Sequence, residues 1–429
     1  MNSRYKNSEK MLAQALKTIP LGTQTFSKSK VHYPYGASPF FIQKGKGSKV
    51  WDIDGNKYID FVSSLASILL GYNDPDIIRA VKKQLKNGPI FSLPHPIENQ
   101  VAKKIIALIP CAEMVRFGKN GSDATTGAIR LARAYTKREH VAVCGYHGWH
   151  DWYIGSTSRN LGIPKSTINL THAFMYNDIT SLEKIFDKYP DQIAAVIMEP
   201  TNITPPKKGF LESVKKITHK NNSLLIFDEI VTGFRLSLGG AQELFGVTPD
   251  LATFGKAIAN GYPLSVLTGK AKIMKLLEEV FFSFTFGGET LSLAAALATI
   301  NKIQKERVLD KIKKRGEKLV LDLKKLITKY NLEHIFKISG QPCWSFLNIK
   351  ETKEYSSLEI KTFLMQEMLK RGILMLGTHN ITFSHTDKDI NYLLKVYEEV
   401  LCLIKKTIEQ NSLKQQLDCK TLKSLFKIR

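Results

Sequence analysis

The stretch Leu224-Leu225-Ile226-Phe227-Asp228-Glu229 constrains the chain more than any other. A short unbroken apolar run ending in charge reads as a strand buried on both faces, as in a parallel sheet. In open α/β sheets ligands sit just beyond the carboxyl ends of the strands, so Asp228 is expected where ligand chemistry takes place. A second apolar run, Leu251 to Phe254, leads into Gly255-Lys256. A lysine set among glycine and apolar residues is an odd choice for an ordinary wet surface.

These runs belong to a longer alternation. Short apolar segments at Met114 to Phe117, Val141 to Cys144, Ala194 to Met198 and Leu264 to Thr268 are separated by helical patterns, which predicts a mostly parallel α/β sheet. Ser48 to Phe61 alternates around Asp54-Gly55, a strong hairpin signal. A long amphipathic stretch, Ser292 to Lys329, precedes strand-like segments at His334 to Ile349 and Ile373 to Phe383. The expected organisation is an amino-terminal segment contributing to a small domain (1–70), a large α/β domain (71–290) and a carboxyl-terminal α+β part (291–429).

An acid at one strand end and a lysine at a later one suit pyridoxal phosphate (PLP). The lysine can form a Schiff base with the aldehyde while the acid holds the protonated pyridine nitrogen. At about 4 Å and an effective dielectric of ~20 such an ion pair contributes roughly 4 kcal/mol. The same two residues also read as a turn-capping aspartate and a solvated lysine. Asn120-Gly121-Ser122 follows a strand and opens a helix, where free N–H groups attract phosphate; Ser122 or Asp123 could equally be a plain helix cap. Tyr146, beyond the next strand, offers a flat face for a ring. His147, His150 and Asp151 share that turn, but their spacing does not make them converge and no cysteine completes a metal set.

The 429 residues, 43% hydrophobic and 24% charged, suit a globular enzyme of two or three sub-domains. No apolar run approaches the ~18 residues of a membrane span, and the polar amino terminus is not expected to be a signal peptide. Five scattered cysteines without a CxxC fit a reducing cytoplasm. The net charge of +23 invites a polyanion reading, but the lysines are spread over amphipathic helices. Only Lys405 to Arg429 looks like a basic segment without a fold partner.

Taken together, Trp51 to Asp60, Asn120 to Arg133, Tyr146-His147-Gly148, Phe227 to Arg235, Gly239 to Gln242, Pro249 to Leu251, Gly255-Lys256, Thr285 to Gly288 and His385 to Ile390 resemble the class III (subgroup II) PLP-dependent aminotransferases, with the glutamate-semialdehyde aminomutase branch nearest. The resemblance implies fold type I, with a mostly parallel seven-stranded central sheet in the large domain and a smaller α+β domain built from both termini. It implies Lys256 as Schiff-base lysine and proton carrier, Asp228 on the pyridine nitrogen, Ile230 opposite Tyr146 on the ring faces, and Asn120, Gly121 and Ser122 on the phosphate. His147, beside Tyr146, joins this cofactor set. Thr285 matches a threonine that reaches the neighbouring subunit's phosphate, implying a homodimer with shared sites.

Three pocket positions depart from the aminomutase branch: Lys28 stands for its carboxylate-clamping arginine, Leu65 for a tryptophan and Val143 for a glutamate. Lysine does not replace arginine in bidentate carboxylate recognition. The loop after Glu199-Pro200 is also shorter. The candidate substrate residues are Lys28, Leu65, Trp149, Glu199 and His379, with His147, His150 and Trp152 completing an aromatic, hydrogen-bonding entrance. The expected activity is transamination between an amino donor and a keto or aldehyde acceptor, with a sugar or polyol for surface polysaccharide as the hypothesised acceptor. Glutamate-semialdehyde aminomutase is the alternative enzyme, and a non-catalytic polyanion-binding protein on the same fold is the alternative outside enzymology.

Overall fold

The structure, a computed structural model, describes residues 3–423. The chain divides into two compact units. The large unit takes Ala66–Ile68 and Pro75–Leu309; of the described residues, the small unit takes 3–65, Leu69–Asp74 and 310–423.

Seven strands make the sheet of the large unit: β1 (Met114–Gly118), β2 (His140–Cys144), β3 (Thr171–Ala173), β4 (Ile193–Met198), β5 (Leu224–Glu229), β6 (Leu251–Phe254) and β7 (Ser265–Gly269). Their order is β1-β7-β6-β5-β4-β2-β3. All neighbours are parallel except β7, which runs antiparallel to both β1 and β6. Every residue of β4, β5 and β6 is buried, which is why these strands read as continuous apolar runs rather than alternating ones. One face packs Ala128, Ile129 and Leu131 of helix α1 (Gly121–Thr136) against Val141, Ile197 and Ile226. The other packs Leu182, Phe186, Phe210 and Val214 against Val196, Leu225 and Phe227. β3 escapes the sequence reading because three residues carry no usable periodicity.

The large unit runs past the expected boundary at 290. Helix α2 (Thr290–Lys305) is capped by Glu289, whose carboxylate accepts from Leu291 N and Ser292 N. Its Lys302 pairs with Asp76 at 2.7 Å, inside the same unit.

The small unit contains a four-stranded sheet (Ile42–Lys46, Lys49–Asp52, Lys57–Asp60, Ile373–Leu374) and a three-stranded one (Phe336–Gln341, Trp344–Ile349, Thr378–Asn380). The Asp54-Gly55 turn joins Lys49–Asp52 to Lys57–Asp60, with Gly55 at φ +84°. The supposedly unpartnered basic tail is corrected as far as residue 423. Leu413 and Leu422 are buried, and the segment docks on helix α3 (Ser357–Lys370). Gln366 of α3, itself buried, donates to Gln416 O (2.9 Å) and accepts from Asp418 N (2.7 Å). The last part of the expected basic segment, 424–429, lies outside the described residues. Among the described residues no helix is long and apolar enough to cross a membrane.

Candidate active site

The site forms at the carboxyl ends of β2, β4, β5 and β6, all within the large unit. Asp228, at the end of β5, is 5% exposed. Its Oδ2 accepts from Nδ1 of His147 at 2.7 Å, and its Oδ1 accepts from Ile230 N at 3.1 Å. With one acceptor oxygen fixed by the imidazole, the carboxylate cannot swing. His147 is buried, with its Nε2 unpartnered. His147 and Asp228 are 81 residues apart in sequence, so no motif spacing announces the pair.

Lys256 follows β6 through Gly255 and sits at φ +42°, a region side chains avoid at a cost on the order of 1–3 kcal/mol. Burial pulls the Lys256 ammonium below its ordinary pKa. Glu199 and Asp228 oppose that shift, and Arg235 adds to it. An amine held toward its neutral form is a better nucleophile and proton acceptor. Burial pushes the Glu199 carboxyl up, with Asp228 adding to the rise. Glu199 Oε2 accepts from Tyr146 N at 3.3 Å, and any Cβ on Gly145 would collide with Glu199.

Two surfaces suit the faces of a flat ring. Tyr146 is 48% exposed, with Tyr153 packed edge-on at 5.6 Å. Ile230 lies against Gly121 and Gly255; a Cβ at either glycine would stand 3.2 or 3.1 Å from it. One isoleucine thereby joins the helix-α1 loop to the lysine loop. At the start of α1, Asp123 reaches back to accept from Lys119 N (3.0 Å) and Asn120 N (2.7 Å). The N–H groups of Gly121 and Ser122, in the first turn, have no intrahelical acceptor and are available to an anion. Gly148, at φ +107°, lets the β2 loop close on Ser122, whose Oγ accepts from Trp149 N at 3.2 Å. These residues fit PLP: an amine whose pKa is lowered by burial, a fixed buried carboxylate, two ring faces and an anion seat.

Other motif residues hold the scaffold. Glu229, fully buried and pushed up by burial, accepts from Thr232 Oγ1, Ala241 N and Gln242 N, which explains the Gly239-Gly240-Ala241-Gln242 sequence. Arg235, fully buried, donates to the carbonyls of Ala66 and Ile68 at 3.1 Å. Asp250 accepts from Leu225 N at 2.9 Å, anchoring the start of β5. Nothing in the sequence separates these acids from Asp228.

The aromatic, hydrogen-bonding entrance is not what its residues build. His147 is committed to Asp228, His150 Nδ1 bonds Thr126 Oγ1 at 2.7 Å, and Trp152 Nε1 donates to the same hydroxyl at 2.8 Å. His379 lies in the small unit, fully buried, with Nδ1 on Ser345 Oγ (2.9 Å) and Nε2 on Tyr397 OH (2.6 Å). A histidine with both nitrogens engaged inside the protein has none left for a substrate. Trp149 alone of the set is open, at 65% exposure. Lys28 and Leu65 line one cavity of about 460 Å³ in the small unit, with Tyr33, Asp60 and Tyr72. Asp60 is saturated there by Tyr72 OH (2.6 Å), Val62 N and Ser63 N. Thr285 lies exposed on a loop flanked by Phe281 and Phe286, 79% and 57% exposed.

Residues 32–388 match the family Aminotransferase class-III. The chain is 38% identical to the 3-aminobutyryl-CoA aminotransferase of Cloacimonas acidaminovorans over 94% of its length and 99% of that protein. It is 34% identical to glutamate-1-semialdehyde 2,1-aminomutase 2 of Brevibacillus brevis, covering 90% and 96%. Its fold superposes on a PLP form of the FumI protein of Sphingopyxis with a TM-score of 0.88, 26% identity and coverage of 94% and 98%.

Proposed function

The chain belongs to the class III aminotransferases, enzymes that use PLP, and from that premise we propose that it moves an amino group between two separate molecules rather than along one. The observation that carries this reading is the residue type at two positions, Lys28 and Leu65, where the resembling aminomutases hold an arginine and a tryptophan. A lysine is a point charge and cannot make a planar two-bond clamp on a carboxylate. The greater identity to an intermolecular aminotransferase than to the aminomutase compared above points the same way.

PLP, when bound, supplies an electron sink for carbanion chemistry. On this reading Lys256 would hold the cofactor through its Nζ, and the same amine would serve as the proton carrier at the substrate carbon. Asp228, fixed by His147, keeps the pyridine nitrogen protonated. Tyr146 and Ile230 would offer the faces for the ring, and the Gly121 and Ser122 N–H groups with Asn120 would seat the phosphate. The acceptor is taken to be a hydroxylated carbonyl compound, a sugar or polyol derivative. Its remaining support is Trp149, the one open side chain of the expected entrance, at 65% exposure. A second copy of the chain is proposed to cover the exposed side chains of Phe281 and Phe286, which flank Thr285 on its loop, and to receive Thr285.

The test follows ¹⁵N from the donor. Label recovered on a second molecule supports the aminotransferase. Label returned to the substrate's own carbon skeleton, with no second acceptor consumed, would give the enzyme to the aminomutases.

A further inference from the structure

At the amino ends of β2 and β3, away from the carboxyl edge that holds Asp228 and Glu199, two histidines meet. His140 opens β2, and His172 is the middle residue of β3, paired with Ala142. Nδ1 of His140 and Nε2 of His172 are 2.7 Å apart. The ring planes differ by only 12° and the centroids are 5.0 Å apart, so the rings lie nearly end to end with their nitrogens facing. Tyr189 spreads over both, with centroids at 4.7 Å from His140 and 4.2 Å from His172. Both histidines are partly exposed. Nothing in the transamination chemistry uses them.

We propose that His140 and His172 form a two-imidazole site for a late first-row transition-metal ion of the nickel, copper or zinc class, completed by water. Imidazole nitrogens suit these ions, and at metal–nitrogen distances of about 2.0–2.1 Å two of them stand roughly 3–4 Å apart. The rings must therefore part slightly. β3 can yield, because it is three residues long and pairs only with β2 at the sheet edge. The proton between the rings moves to the outer nitrogen of one of them, so both inner lone pairs face the ion and no net proton is released. The groups around the pair are Glu139 and Arg133 on the His140 side and Lys188 on the His172 side; Lys188 Nζ lies 5.3 Å from the Tyr189 ring centre. Among the described residues no group of three histidine, cysteine or acidic side chains forms a metal site, which makes this a two-donor site.

The PLP-loaded enzyme is titrated with Ni²⁺ and with Zn²⁺ by calorimetry, alongside H140Q, H172Q and Y189F variants checked for fold by circular dichroism. The expected result is one saturating ion per chain, at least about tenfold weaker in H140Q and in H172Q because one of two ligands is gone, and retained in Y189F. Should H172Q misfold at the short strand, H140Q carries the test. Absence of saturable binding to the unaltered enzyme overturns the proposal, and so does binding that neither histidine variant changes.

Discussion

The carboxyl edge of the large unit's sheet and the interior of the small unit both bury acids and histidines, yet they leave them in different conditions. In the small unit Asp60 has three hydrogen bonds and His379 has both ring nitrogens occupied. In the large unit His147 keeps an unpartnered buried nitrogen, Glu199 receives one long hydrogen bond, and Lys256 sits strained and held toward neutrality. Burial is common to all these groups; Asp60 and His379 add full satisfaction to it, while His147 does not, and the small unit's own His385 shares that lack at its buried Nε2. A buried polar group with all its partners holds a fold together, whereas one left short of partners is poised for a ligand.

The contrast is broken most severely if Lys256 behaves like a structural residue. Lys256→Ala is expected to lower the single-turnover rate with any accepted donor by at least about four orders of magnitude, since it removes both nucleophile and proton carrier. A loss below tenfold in stopped-flow absorbance would place the chemistry elsewhere. Asp228→Asn removes a charge pair of roughly 4 kcal/mol, so a loss of about a thousandfold is expected by the same method, with thermal stability little altered.

His379 sharpens the other side. Burial drives its pKa down to about 4, below the ordinary 6.5, so the unfolded chain binds the proton that the folded chain refuses. Stability from this group is therefore fully present above pH 6.5 and is lost as pH falls from 6.5 toward 4, by up to about 3 kcal/mol. Urea titrations across that window should show the slope, and His379→Phe should flatten it. Gln366→Leu strands the backbone of Gln416 and Asp418 without partners and is expected to cost about 1–3 kcal/mol in urea unfolding, without changing the single-turnover rate of the donor half-reaction. The smallest effect belongs to Lys28→Ala at the cavity rim, a rise of several-fold in KM for an anionic acceptor with kcat retained. A fall in kcat alone would remove Lys28 from substrate binding.

The legible part of the site was local. Asp228 and Lys256 could be found because each ends an apolar run, and strand direction then fixes where such residues emerge. Asn120 to Ser122 could be found because a helix start has free N–H groups whatever surrounds it. Glu229 and Asp250 present the same local pattern as Asp228, and only their occupied oxygens separate scaffold from site. The entrance histidines misled for the converse reason. Histidine type is visible in a sequence, but the hydroxyls of Thr126, Ser345 and Tyr397 that consume His150 and His379 arrive from elsewhere in the fold. The carboxyl-terminal segment looked unattached because its anchor, Gln366, is a polar residue on a helix and announces nothing until it is buried.

By itself the sequence determined the buried parallel strands, the order of strand and helix in the large unit, and the strand-end positions of the lysine and aspartate proposed for PLP chemistry, since each follows from hydrophobic period and chain direction within a short window. Tertiary structure alone decided that His147 locks Asp228, that Lys28 and Leu65 share a cavity, and that His140 faces His172. Those pairings join residues far apart in the chain, and hydrogen-bond satisfaction, unlike hydrophobicity, is a property of a pair rather than of a residue.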